Sequence, residues 1–155
     1  MGENITATHV TQEIPAGVSE KIYSEKQEYN EYIAQVVEIV NEERRKVGLN
    51  PLAYDEQITY AATQRSYEMA EYQYFAHARP NGDSCFTVMD EYNVSWRMVG
   101  ENIASGYTTP EQVMTGWMNS QGHKENILTS GYTKIGVGIA ANSYGRLYWT
   151  QLFAA

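Results

Sequence analysis

Two patterns in the sequence predict an α+β domain in which helices pack against a central antiparallel sheet. Between residues 25 and 120, apolar side chains recur at steps of three and four, the spacing of a buried helix face. After residue 132 the pattern changes to two strand-like runs, TKIGVGIA at 133–140 and RLYWTQLF at 146–153. Helices first and strands last, without regular alternation, favour this class over a parallel α/β sheet.

The helical part divides at its capping and turn residues. A first helix is expected from Glu25 to about Val47, and a second begins after Asp55, an N-cap residue, and runs to about Tyr74. A short helix over 84–92 follows. A further helix over 110–120 starts at Thr109-Pro110, since proline suits the first helical position, and we expect Gly122 to end it.

Residues 1–24 are polar and show no sustained period, so they are predicted to form a tail or linker before a single domain at 25–155. His9 lies in this tail and is set aside as a ligand. The start of the sequence lacks the basic and apolar regions of a secretory signal. Either the protein is cytoplasmic or a signal has been removed.

The composition argues against two classes of partner. The formal net charge is −8, and nucleic acids and anionic membrane surfaces are bound mainly through cationic side chains. No stretch approaches the roughly 20 apolar residues of a spanning helix, so no integral membrane segment is expected. The single cysteine, Cys85, excludes an internal disulfide, and we interpret it as a small buried apolar side chain on a helix.

Three polar residues stand out because turn signals surround them. Glu101 and His123 lie in the glycine-framed segments Gly100-Glu101-Asn102-Ile103 and Gly122-His123, and His77 lies in the loop at 75–83. We predict that His77, Glu101 and His123 meet in one cleft. A structural alternative is that Glu101 and His123 only tie two turns together through hydrogen bonds.

The same residues allow two kinds of chemistry. The imidazoles of His77 and His123 could bind a zinc-like divalent cation weakly, with Glu101 orienting a ring N–H or a bound water. Alternatively, Ser120, His123 and Glu101 are the residue types of a nucleophile, a base and an orienting acid. Hydrolysis has less support, because no nucleophile-elbow motif occurs in the sequence.

Six short motifs in order resemble the CAP superfamily, which includes the cysteine-rich secretory, antigen 5 and pathogenesis-related proteins that carry an SCP domain. The resemblance covers about residues 28–155 and is to the bacterial branch. The motifs are Asn41-Glu42-Glu43-Arg44 with Gly48-Leu49-Asn50-Pro51-Leu52, Phe75-Ala76-His77, Gly100-Glu101-Asn102-Ile103, Trp117-Met118-Asn119-Ser120, Gly122-His123 and Tyr148-Trp149-Thr150-Gln151.

The resemblance implies a three-layer α-β-α sandwich, a secreted protein, and a cleft with two histidines and two acids that binds a divalent cation in some members. His77, His123 and Glu101 match three of these four positions. Ser120 stands where the second acid is expected, so this chain lacks one carboxylate of the pattern. Asn102 and Ser120 are assigned to the surroundings of the cleft.

Two functions from different classes therefore remain open. The first is a secreted binding module whose cleft takes a small apolar ligand, a lipid or a peptide, with a divalent cation as a further ligand. The second is a metal-assisted or serine-type hydrolase acting on peptides or cell-wall material, and the sequence leaves open whether the protein is an enzyme.

Overall fold

A computed structural model of the chain describes residues 13–155. Its centre is a four-stranded sheet in the order β1-β3-β4-β2. The strands are β1 (Ala53–Tyr54), β2 (Val99–Ser105), β3 (Lys134–Ala141) and β4 (Leu147–Ala154). β4 pairs antiparallel with both β2 and β3, and the short edge strand β1 runs parallel to β3. The hairpin predicted from the last third of the sequence is confirmed as β3 and β4.

Six helices surround this sheet in the described part of the chain. They are α1 (Glu20–Glu28), α2 (Asn30–Lys46), α3 (Glu56–Tyr72), α4 (Thr87–Glu91), α5 (Pro110–Met118) and α6 (Gln121–Ile127). The predicted cap at Asp55 and the predicted helix start at Thr109-Pro110 are confirmed, since Asp55 Oδ1 accepts from the Ile58 amide and Thr109 Oγ1 from the Gln112 amide. α1, α3 and α4 cover one face of the sheet, and α2, α5 and α6 the other. This arrangement confirms the α-β-α sandwich.

α3 lies unusually close to the face of the sheet that it covers. Cβ atoms at Gly136 and Gly138 of β3 would clash with the α3 backbone at residues 58–59 and 62–63. The absence of side chains there lets α3 lie directly on β3 and β4, and alanines such as Ala61 and Ala62 complete the contact. This close packing lets polar side chains of α3 contact the strands.

The opposite face holds the larger apolar cluster. Strand residues Ile135, Val137 and Trp149 point into it, as do Trp117 from α5 and Ile127 from α6. All five are almost fully buried. At roughly 25 cal/mol per Å² of apolar area, such clusters supply most of the driving force for folding.

Several sequence predictions differ from the structure. The helix expected from Glu25 is two helices, and α1 begins at Glu20 with Ile22 buried, so the packed region starts inside the predicted tail. Residues 1–12 of that tail lie outside the described residues. Gly122 does not end a helix, because it lies within α6, and Glu101 lies on strand β2 rather than in a turn.

The free edge of β2 is covered by side chains. Trp117 Nε1 donates to the Ile103 carbonyl, and Asn126 Nδ2 donates to the Glu101 carbonyl. An exposed edge strand offers backbone groups on which other chains can pair, and such cover protects it.

No helix within residues 13–155 combines the length and apolar character needed to cross a membrane.

Candidate functional site

The site is organised around Glu101, whose carboxylate is buried on the α3 face of β2. Arg65 of α3 donates from Nε to Glu101 Oε2 at 2.7 Å and from Nη2 to Oε1 at 3.3 Å. His77, in the loop after α3, brings Nδ1 to 2.8 Å from Glu101 Oε1. The carboxylate therefore lies between a guanidinium and an imidazole.

These contacts fix the charge state of the acid. Burial alone would raise the pKa of Glu101, but hydrogen bonds from His77 and Arg65 outweigh it, so the pKa lies below 4.5. The same hydrogen bond to Glu101 raises the pKa of His77 above 6.5, against the effects of burial and of the Arg65 charge. Glu101 is thus ionised at neutral pH and acts as a hydrogen-bond acceptor.

His123 approaches from the other side of the sheet edge, on α6. It is held through its backbone, because Asn102 Nδ2 donates to the His123 carbonyl at 3.1 Å. Burial and the nearby His77 lower the pKa of His123 below 6.5, so its ring is neutral at neutral pH. Within residues 13–155, His77 Nε2 and both ring nitrogens of His123 have no hydrogen-bond partner.

Asn102 is the centre of a second polar network, on the α6 face of β2. Its Nδ2 also donates to Gln151 Oε1 at 2.9 Å, and its Oδ1 accepts from Asn126 Nδ2 at 2.9 Å. Glu101 and Asn102 are neighbours on one strand and therefore point to opposite faces. One faces the His77 loop, and the other faces the helix of His123.

A cleft of about 480 Å³ lies over the first half of β2, where the two helical layers meet. Its polar lining includes His77, Glu101 and Asn126, and its apolar lining includes Phe86 and Tyr132. This volume falls in the range of small-molecule sites, which are commonly apolar clefts with a few polar groups.

Ser120, the candidate nucleophile, has no hydrogen bond to His123 within the described residues. It is the residue before α6, partly buried, and its side chain caps no amide of that helix. No hydrogen bond joins its hydroxyl to His123 or Glu101 within the described residues, and Glu101 bonds His77 instead.

Cys85 was not predicted to be near the site, but it lines the cleft beside Glu101, in a turn before α4 rather than on a helix. Ligand atoms of His77, Cys85 and Glu101 lie within 4.8 Å of one another, so this group could hold a metal ion. Two facts weigh against direct ligation by all three. Burial raises the pKa of the Cys85 thiol to about 12, and the Arg65 guanidinium already occupies the carboxylate.

Arg65 is a second residue of the site that the sequence does not single out. It falls on the apolar face of α3 together with Ile58, Ala61, Ala62 and Met69, and an arginine on such a face requires buried hydrogen-bond acceptors. That signal was present in the sequence, but the identity of the partner depends on the tertiary fold.

An α-β-α sandwich that places a histidine and a carboxylate beside an edge strand is the class of domain to which the motif resemblance pointed. A sequence model of this class, the cysteine-rich secretory protein (CAP) family, matches residues 37–153. The chain belongs to this family.

Several proteins to which it is similar are bacterial. The chain is 43% identical over 122 residues to the uncharacterized protein YkwD of Bacillus subtilis (strain 168), a match that covers 79% of this chain and 46% of that protein. Among solved structures it is similar to an extracellular protein containing a SCP domain from Bacillus anthracis str. Ames, with 27% identity and a TM-score of 0.77. That match covers 93% of this chain and 45% of the other.

An outer surface protein from Borrelia burgdorferi shares the fold, with a TM-score of 0.75 at 24% identity over 81% of this chain and 93% of that one. The chain spans less than half the length of YkwD and of the Bacillus anthracis protein.

Proposed function

We propose that this domain is an extracellular binding module whose cleft holds a divalent cation through His77 and His123 and takes a small apolar ligand, a lipid or a peptide. The observation that carries the proposal is the 2.8 Å contact between His77 Nδ1 and Glu101 Oε1. Because an ionised carboxylate only accepts hydrogen bonds, the proton of the neutral imidazole lies on Nδ1. The lone pair of His77 is then on Nε2, which has no partner in the described residues.

The donor set fits a borderline cation such as zinc. His77 is oriented by a carboxylate, as metal-binding histidines usually are, and the lowered pKa of His123 keeps its ring neutral. Two imidazoles leave coordination positions for water or a ligand group, so weak binding is expected. The cation would polarise a ligand atom, and His77 and His123 would position it.

The apolar side of the cleft supports a ligand with an apolar part. Phe86 and Tyr132 line it, and the ring of Trp96, 39% exposed, lies 6.1 Å from the Phe86 ring. Exposed aromatic side chains beside a polar site are suited to bind amphipathic molecules. The extracellular location rests on the similarity to the Bacillus anthracis protein, which is described as extracellular.

Hydrolysis of peptides or cell-wall material is the alternative. The His77–Glu101 pair has the geometry of a base and its orienting acid, which favours this alternative in part. No hydrogen bond joins the Ser120 hydroxyl to His123 among residues 13–155, and burial raises the pKa of the Cys85 thiol to about 12, so neither offers an activated nucleophile in this arrangement.

Calorimetric titration with zinc chloride at about pH 8 and about pH 5.5 tests the proposal, since these values lie on either side of the histidine range. Wild-type protein is expected to bind zinc at the higher pH and to bind more weakly at the lower one, because protons compete for His77 Nε2. The H77A/H123A variant is expected to lose about tenfold or more in affinity.

The matched control is H9A, which removes a histidine that lies outside the cleft-forming motifs. Equal zinc affinity in wild type and H77A/H123A would contradict the proposal. Turnover of peptide or cell-wall substrates that is present in wild type and absent from H77A/H123A would favour the hydrolase.

A further inference from the structure

Arg65 makes more polar contacts than any role in packing α3 requires. It is completely buried, and its guanidinium reaches two segments that are distant in sequence. Besides the two bonds to Glu101, Nη2 donates to the Ala76 carbonyl at 2.7 Å and Nη1 to the Tyr74 hydroxyl at 3.1 Å. One side chain thus bonds both the acid of the cleft and the loop that carries the histidine.

Apart from Tyr74, which packs against the cluster around Met69 and donates its backbone amide to the Met69 carbonyl, the loop at 74–77 has few other contacts that hold its position. It contains no helix or strand, Phe75 is 53% exposed, and the side chain of His77 is 61% exposed. A loop with so little buried surface keeps its conformation mainly through backbone hydrogen bonds. Here the Ala76 carbonyl, adjacent to His77, accepts from Arg65.

A second arginine bonds the loop to α3 on the C-terminal side of His77. Arg79, two residues after His77, reaches back to Glu68 of α3 through its Nε and Nη2, and Nη1 donates to Glu91. Glu68 is also 3.8 Å from Arg65 Nη1. The Arg65–Glu68–Arg79 network therefore ties both sides of His77 to α3.

We propose that Arg65 is a positioning residue for the cleft: it holds Glu101 and the 74–77 loop in one arrangement, so that His77 Nδ1 bonds the carboxylate and Nε2 faces the cleft. The part of this inference that concerns cation binding rests on the proposed function, while the orientation of His77 does not. Arginine suits the role because its planar fork bonds a carboxylate and two further oxygens at the same time.

The R65K variant distinguishes the effect of the positive charge at position 65 from that of the guanidinium hydrogen-bond geometry. R65K keeps a buried cation beside Glu101, but a single ammonium group cannot bond the carboxylate, the Ala76 carbonyl and the Tyr74 hydroxyl in the arginine geometry. Y74F is a milder variant that removes one of these contacts. The control is R44K, because Arg44 is also buried but bonds the carbonyls of Asn50, Ile127 and Thr129.

The readout is the tautomer of His77, measured from imidazole ¹⁵N shifts in metal-free protein at about pH 8.5, where histidine is mostly neutral. Wild type and R44K are expected to show the proton on Nδ1. R65K is expected to show a mixture with the Nε2–H form, and Y74F a smaller change in the same direction. Loss of stability alone would not change the tautomer of a folded protein.

Zinc affinity is the second readout, with a loss of about tenfold expected for R65K and none for R44K. If R65K and Y74F retain the wild-type tautomer, Arg65 does not position His77 and the inference is overturned. If wild type binds no zinc but R65K shifts the tautomer, the proposed cation site fails and the positioning role of Arg65 stands.

Discussion

His77 and His123 lie on the two sides of the same edge strand, yet the protein moves their pKa values in opposite directions. His77 contacts an ionised carboxylate, which raises its pKa, whereas His123 is partly buried near another imidazole, which lowers its pKa. Each is held by one of two successive residues of β2, His77 by Glu101 and the backbone of His123 by Asn102. Side-chain alternation along a single strand thus creates two different histidine environments, and only His77 is among the residues that line the cleft.

E101Q should have the largest effect on the difference between the His77 and His123 environments. The variant removes the carboxylate that pairs with the buried Arg65 guanidinium at 2.7 Å and leaves only Glu68, at 3.8 Å; breaking a buried ion pair costs about 3–5 kcal/mol. The free energy of unfolding, measured by urea denaturation at neutral pH, should fall by about that amount. The pKa of His77, followed by NMR, should fall back toward 6.5 while that of His123 changes little.

E43Q is the control, because Glu43 pairs with Lys46 at the surface, with 62% of the lysine side chain exposed. Its loss should stay below about 1 kcal/mol. An equally small loss for E101Q would show that the buried pair contributes no more than a surface pair.

A smaller effect, on the other histidine, is expected from N102A. The variant removes the bonds to Gln151, Asn126 and the His123 carbonyl, and leaves buried polar atoms without partners. Unfolding free energy should fall by about 1–3 kcal/mol. In NMR spectra the ring signals of His123 should shift, whereas those of His77 should not. Shifts at both rings would indicate that the two networks are coupled.

The smallest effects are on the pH dependence of stability. The raised pKa of His77 stabilises the fold below pH 6.5, and this contribution is lost as the pH rises through the pKa of the folded state. The lowered pKa of His123 acts in the other sense, because stability is lost as the pH falls from 6.5 through its folded-state pKa. Each effect should be below about 1 kcal/mol, since both rings are solvent-accessible.

Single variants separate these two contributions in urea denaturation at a series of pH values. H77A should remove the decline in stability that occurs above pH 6.5. H123A should remove the decline in stability that protonation of the His123 ring causes as the pH falls below 6.5. The same pH profile for H77A and wild type would mean that His77 gains nothing from Glu101.

Local signals in the sequence were sufficient for much of the fold. Asp55 and Thr109-Pro110 marked helix starts that the structure confirms, and the change to strand-like runs located β3 and β4. The signal failed at α1, whose few buried residues are separated by charged ones, so that its packing on α3 is visible only in the tertiary structure. It also failed at Gly122, where a glycine occupies the first turn of a helix instead of ending one.

The site was predictable as residue types but not as contacts. Turn signals and the family motifs drew attention to His77, Glu101 and His123, and the structure brings His77 and Glu101 into direct contact. The roles of His77 and His123 as metal ligands stay a prediction. Arg65 and Cys85 come next to Glu101 only through the packing of α3 and α4 on the sheet, so no spacing in the sequence could have placed them there.

The cover on the edge of β2 has a consequence for assembly. With the carbonyls of Ile103 and Glu101 engaged by Trp117 and Asn126, a strand from a neighbouring molecule finds no acceptor at these two positions. Continuous sheets between copies cannot form there without first displacing a buried indole. At these two positions, an adjacent molecule is left to contact the strand through side chains.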